Sequence, residues 1–461
     1  MESYHFTEFA WPFLPPDDEY TSMRVNLPSR VYDPKKGAEW YDMCLDQHLL
    51  ADDLGIHCMI NEHHQTATCL NSAAPLSLAI VARQTKNARL CILGNPVANL
   101  ADPIRCAEEM AMIDNISHGR LECGFVRGVP YELFASNANP TETNERLWES
   151  IDLMTKAWTT HDGPFNYEGQ WIHKRQVNVW PRPYQEPHPP IWITGGSNIS
   201  HGTETIRRGY TFAMFLTPVD GLKRMWGAIR ENIKNMGLPK PADDQFAFMP
   251  LVAVGNTEEE ALRLVEEVFW YVTHNKAESQ FRAPPGYVET QLYADFLSGK
   301  FSGGRTDAIR KMGMEYFRKN HVAIYGTPDS VAKQIKDLYR KTGGFGHLIA
   351  MMHSGSMSYK DCKKSMTLFA KEVVPQIKDL GTVSDTFGPL ENHGKPIPAA
   401  KGGSRTEALA AMYAKFHAVA TEEKKPVKIR GKAKPKAKAK PKAKAKAKTT
   451  IKSGGRKKKA A

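Results

Sequence analysis

An alternation kept up to about residue 380 constrains this chain most. Short apolar runs are separated by segments of helical pattern that carry their own start and stop signals. IHCMIN (56–61), RLCILGN (89–95), RLECGFV (120–126), PPIWITGG (189–196), TFAMFL (211–216), AFMPLVAV (247–254) and GHLIAMM (346–352) read as strands. They are apolar on both faces, which suits a parallel sheet buried under helices. The intervening segments are punctuated. Asp102 is placed to cap a helix that Pro103 begins and Gly119 ends, with Ile104, Ala107, Ala111 and Ile113 facing inward. Leu147, Trp148, Ile151, Met154 and Trp158 form one stripe, and a further helix opens at Thr327-Pro328 and stops at Gly343. Such β–α units over this length predict an α/β fold, a (β/α)8 TIM barrel, over a doubly wound sheet. No G-x-G-x-x-G follows an early strand, which counts against a Rossmann nucleotide domain.

The expected organisation has three parts. Residues 1–385 form the barrel, with 275–320 too long for a plain connection and placed as an insertion capping the active-site face. Residues 386–420 are linker with one possible helix, and 421–461 are a low-complexity Lys/Ala/Pro tail that cannot build a core. Charge follows the same division. The net charge of +12 arises from 18 Lys and Arg between residues 424 and 461, where there is no acid; the rest carries 44 basic and 50 acidic residues. Seven widely spaced cysteines without a C-x-x-C pair predict reduced core thiols. No run reaches the ~20 apolar residues of a membrane span, and the first residues lack the order of a secretory leader. The expectation is a cytoplasmic protein.

Four strand ends carry residues suited to chemistry. At the first, Glu62, His63 and His64 stand consecutively. H-E-x-x-H spacing is not met, and neighbours on a strand point to opposite faces, so a shared metal is disfavoured. A polar strand end and an acid/base imidazole beside a carboxylate both remain open. At the second, Arg127 follows an apolar strand and precedes Gly128; this is either a turn arginine or a guanidinium placed to grip a phosphate with paired hydrogen bonds. At the third, a strand runs into Gly195-Gly196-Ser197, with a helix expected near Thr203. Such a loop can present backbone N–H groups to an anion. At the fourth, Gly94 and Asn95 precede Pro96, which is either a plain turn or a floor on which a planar ring can lie.

The order INEHH, ILGNPVANLADPIRCAEEMAMIDNISHGRLECGFVRG, PPIWITGGS and YGTPDSVAKQI resembles the bacterial luciferase-like family of flavin-dependent oxidoreductases across nearly all of residues 1–380. The resemblance implies FMN bound at the C-terminal ends of the barrel strands. The family's catalytic histidine, the first of its E-H-H pair, falls on His63, with Glu62 or His64 as orienting groups. Its phosphate-binding arginine falls on Arg127, and the Gly195–Ser197 loop would hold the same phosphate. Gly94 and Asn95 fall where the ring packs, often beside an unusual cis peptide. The family's light-emitting members carry a reactive cysteine before that arginine. This chain has Val126 there, which argues against light emission. The implied reaction is a two-component monooxygenation: a separate flavin reductase supplies reduced FMN, and the barrel oxidises a small organic substrate with O2. F420-dependent hydride transfer on the same barrel is one alternative; another is a barrel that serves as scaffold for a polyanion- or nucleic-acid-binding tail. A homo-oligomer is expected. From composition alone, the tail resembles the basic ends of linker histones. It predicts non-specific attraction to nucleic acid or polyphosphate through residues 421–461, without the aromatics that would read bases.

Overall fold

The computed structural model describes residues 1–195, 198–276 and 305–382, with a few positions between 277 and 304. Eight parallel strands close into a ring. In ring order they are β1 (Glu2–Thr7), β2 (His57–Ile60), β3 (Leu90–Asn95), β4 (Leu121–Phe125), β7 (Ile191–Thr194), β8 (Thr211–Phe215), β9 (Phe246–Met249) and β12 (His347–His353). Closure is made by β12 on β1, with Glu2 opposite His347 and Phe6 opposite Met351. The ring is filled rather than hollow. Tyr4 of β1 and Trp192 of β7 come from opposite sides of it, yet their rings meet edge to face at 5.3 Å. Tyr4 Oη donates to Glu122 Oε2 at 2.7 Å, and Arg89 Nε donates to Glu122 Oε1 at 2.7 Å. That carboxylate is fully buried and fully engaged, as a buried charge must be.

The barrel class matches the sequence reading, with three local departures. The run AFMPLVAV is two strands, because Pro250 has no N–H to continue a ladder. Beyond it, β10 (Leu251–Val254) turns to pair with β11 (Ala323–Gly326). The first strand, ESYHFT, was not anticipated; β12 and β2 pair with its two edges, and every residue after Glu2 is buried. A hairpin of β5 (Phe165–Glu168) and β6 (His173–Val177) was also not anticipated.

The helices obey their punctuation more closely. In α3 (Pro103–Ile116), Asp102 accepts from Ile104 N at 3.0 Å, and Ala107, Ala111 and Ile113 are buried while Ile104 is half-buried. The stripe on α5 (Thr143–Thr159) buries Leu147, Ile151, Met154 and Trp158, with Trp148 half-buried. Helix α10 (Pro328–Thr342) ends at Gly343 in the left-handed conformation, φ 78°. Helix α6 (Ile199–Arg207) starts before the expected Thr203, because Asn198 accepts from His201 N at 3.0 Å and sets the cap there. All seven cysteines are buried, and none is in a disulfide. No helix among the described residues is long and apolar enough to cross a membrane. The linker and tail, residues 386–461, lie outside the described residues.

Candidate active site

The C-terminal end of β2 delivers Asn61, Glu62, His63 and His64, and the two histidines part company there. His64 Nε2 pairs with Glu62 Oε1 at 3.0 Å, while Glu62 Oε2 accepts Ala74 N–H at 2.8 Å at the start of α2 (Ala74–Gln84). Glu62 is therefore engaged with the other imidazole and a helix N-terminus, and the orienting role falls elsewhere. His63 Nδ1 lies 2.9 Å from Glu132 Oε1, on the short helix α4 (Glu132–Ala135). The same Glu132 oxygen accepts the His64 backbone N–H at 2.9 Å, which fixes it as an acceptor. His63 therefore donates from Nδ1, and Nε2 is left to exchange a proton. On that side Glu8 Oε2 stands 3.9 Å away, held by Asn61 Nδ2.

Burial of His63 opposes its cationic form. The hydrogen bond and charge of Glu132, with the charge of Glu8, outweigh it and raise the imidazole above its ordinary value. His64 is raised too, chiefly by its bond to Glu62. Glu8 is pushed up, first by its burial, against the charge of His63 and the bond from Asn61. The result is a buried acid–imidazole–acid row in which a proton on Nε2 is favoured. Tyr131 completes it, with its hydroxyl 3.4 Å from His63 Nδ1.

The ends of β3 and β4 approach each other without side chains between them. A Cβ on Gly124 would lie 2.1 Å from Ile92 O, and one on Gly94 would lie 2.8 Å from Gly124 O. The Leu93–Gly94 peptide is cis. Beyond this contact, Asn95 is buried and its carbonyl accepts Val126 N–H at 2.9 Å. Arg127 is half-buried, with its guanidinium 3.6 Å from the centre of the Tyr287 ring and no ion-pair partner among the described residues. Tyr287, from the 275–320 segment, donates to Gly128 O at 2.9 Å. The Asn99 side chain lies against Gly128, with both amide atoms buried and without a partner among the described residues. At the end of β7, Gly195 is half-buried and His201 Nε2 donates to Thr194 O at 3.3 Å. Burial pushes His201 down to about 4, against its bond to Thr194, and the nearby charge of Arg127 adds to the fall. Arg127 and the loop after β7 therefore share one region. Gly196 and Ser197 lie outside the described residues.

Sequence reasoning brought His63, Arg127, Gly94, Asn95 and Gly195 to one mouth of the barrel. It missed Glu8, Asn99, Tyr131 and Glu132, which the structure places at the same mouth. Glu132 follows Arg127 within one short loop, where an acid after an expected phosphate grip was available as a signal. Glu8 was out of reach because the strand before it went unassigned.

Strand-end residues gathered at the C-terminal mouth of a closed parallel barrel, around an imidazole braced by carboxylates, define an enzyme of the barrel class. The luciferase-like monooxygenase family model matches residues 23–345, and the chain belongs to that family of flavin-dependent oxidoreductases. It is 32% identical over 176 residues to the oxygenase component of the flavin-dependent trigonelline monooxygenase of Acinetobacter baylyi, covering 37% of this chain and 48% of that protein. The match thus spans about half the length of that relative. It is 25% identical over 380 residues to 3,6-diketocamphane 1,6-monooxygenase of Pseudomonas putida, covering 74% of this chain and 94% of the relative. Among solved structures, the oxygenating constituent of that organism's 3,6-diketocamphane monooxygenase, in complex with FMN, shares the fold. Its TM-score is 0.61 at 24% identity, over 81% of this chain and 98% of that one. An F420-dependent secondary alcohol dehydrogenase shares it too, with TM-score 0.56 and 14% identity over 82% and 99%.

Proposed function

We propose that the protein is the oxygenating component of a two-component monooxygenase, which takes reduced FMN from a separate flavin reductase and uses O2 to oxidise a small organic substrate. The observation that carries this is His63, held between Glu132 and Glu8 at the mouth that also presents Arg127. The residues present fit FMN. Among the described residues Arg127 has no hydrogen-bond or ion-pair partner and Asn99 has an unpartnered amide beside Gly128, and no Cβ fits between Gly94 and Gly124. Arg127, with the loop at Gly195, would hold the phosphate, and the Gly94–Asn95 stretch would lie against the ring. When bound, reduced FMN supplies the electrons that activate O2. Glu132 keeps the Nδ1 proton of His63 in place and supports the cation. His63 then gives or takes a proton at Nε2, next to a buried acid that can share it. Tyr287, lying over Arg127, helps to keep water from the mouth.

Anaerobic titration with reduced FMN and, separately, with oxidised F420 tests this. Binding of reduced FMN, followed by rapid oxygen uptake when air is admitted, supports the reading. Binding of F420 alone would replace it with hydride transfer, which the fold shared with the F420-dependent dehydrogenase supports. We also propose that residues 421–461 hold polyanions such as nucleic acid or polyphosphate, on the strength of their uninterrupted basic charge beyond Glu423.

A further inference from the structure

Arg24, in the long loop after β1, is half-buried at the same mouth. Its guanidinium lies 5.0 Å from the centre of the Tyr131 ring, whose hydroxyl is 3.4 Å from His63 Nδ1. Its Nε donates to Asn275 Oδ1, at the start of the 275–320 segment. Its two terminal nitrogens have no hydrogen-bond or ion-pair partner among the described residues. The structural arginines of this chain look different. Arg120 donates to Ala82 O, Thr85 O, Ala88 O and Ser117 O. Arg230 closes on Thr342 O and Gly344 O, and Arg208 on Asp152 and Glu204. Arg24 shares its unengaged state with Arg127, the expected phosphate grip.

We propose that Arg24 anchors the acidic group of an anionic substrate, a small organic carboxylate whose reacting end is directed toward His63. A guanidinium fork takes both oxygens of a carboxylate in parallel hydrogen bonds. Its place over the Tyr131 ring and its Nε bond to Asn275 hold the guanidinium, and partial burial strengthens the attraction. A carboxylate fits better than a phosphate. One cation is offered, and Glu8 is close enough to feel its charge, which disfavours a dianion. The Tyr131 ring spaces the anchor from the imidazole, so the site suits a compact, ring-sized acid. The proposal deepens the monooxygenase reading and rests on it for the position of the reacting end.

The test is calorimetric titration with matched acid and amide pairs: benzoate and benzamide, phenylacetate and phenylacetamide, cyclohexanecarboxylate and its amide. The full chain and its R24Q and R24K variants are used, with melting curves to check folding and reduced-FMN binding measured separately. The wild-type chain is expected to prefer acids by about tenfold or more, the effect of one charge-assisted pair. R24Q should lose that preference, and R24K, which keeps the charge without the fork, should keep part of it. Acids binding no tighter than amides to the wild-type chain, or a preference that survives in R24Q, overturns the proposal. An Arg24-dependent preference in a chain that binds no reduced FMN leaves the anchor standing and sinks the flavin reading. Retained FMN binding without acid preference does the reverse.

Discussion

The most informative perturbation of the site is Glu132→Gln. The substitution keeps the shape and leaves an amide oxygen to accept both His63 Nδ1–H and the His64 backbone N–H, each now 2.9 Å from Glu132 Oε1. What it removes is the charge. A hydrogen bond to a charged group contributes about 1.5–3 kcal/mol and a neutral one about 0.5–1.5, so about 1–1.5 kcal/mol of support for the imidazolium is lost. At a fixed neutral pH that lowers the ratio of imidazolium to imidazole about tenfold. The direction is set by the geometry. His63 is raised because Glu132 and Glu8 overcome its burial; without the Glu132 charge, burial acts against Glu8 alone. The imidazole signals of His63, followed by NMR across pH, should therefore titrate at lower pH in E132Q than in the wild type. Substrate oxygenation that needs the Nε2 proton should fall on its alkaline side by a similar factor, with reduced-FMN binding unchanged. A titration that stays in place or moves to higher pH would falsify the assignment of Glu132.

Three further outcomes are expected. Behind β1, the imidazoles of His5, His48 and His353 are fully buried, and burial pushes His48 down to about 3 and His353 to about 4. The unfolded chain binds their protons first, so stability is complete above the unfolded value near 6.5 and falls as pH drops; at pH 5 His48 and His353 each cost about 2 kcal/mol. Both ring nitrogens of His48 lack hydrogen-bond partners among the described residues, so His48→Leu should flatten the loss of urea resistance between pH 7.5 and 5; an unchanged slope refutes the assignment. Gly124→Ala places a Cβ 2.1 Å from Ile92 O, between backbones that cannot yield without parting β3 from β4. It should lower the melting temperature and weaken FMN binding, and normal values for both would show that the contact is not needed. Removal of residues 421–461 should leave flavin binding intact and abolish salt-sensitive retention on DNA-cellulose; retention of the truncated chain at moderate salt would place polyanion binding elsewhere.

The barrel was legible because burial of a parallel sheet on both faces leaves apolar runs, and helix ends leave caps such as Asp102 and Gly343. Glu62, His63 and His64 could be placed at a strand end, but their roles could not, since a linear pattern does not say which way each side chain turns. Glu132, Glu8 and Arg24 come from three other stretches, and no local periodicity ties them to His63. The run through Pro250 read as one strand; its break there, and the re-pairing of the chain with β11, came only with the structure.

By itself the sequence determined the alternation, the barrel class, the run of basic residues from 424 to 461 and the strand ends on which polar groups would gather, because each follows from local periodicity or composition. Closure of the ring decided the rest. It set His63 between two carboxylates distant in the chain and turned Glu62 to His64. It also left the terminal nitrogens of Arg24, and Arg127, without hydrogen-bond or ion-pair partners among the described residues, because charge and hydrogen bonding depend on distances in space that only the packed barrel sets.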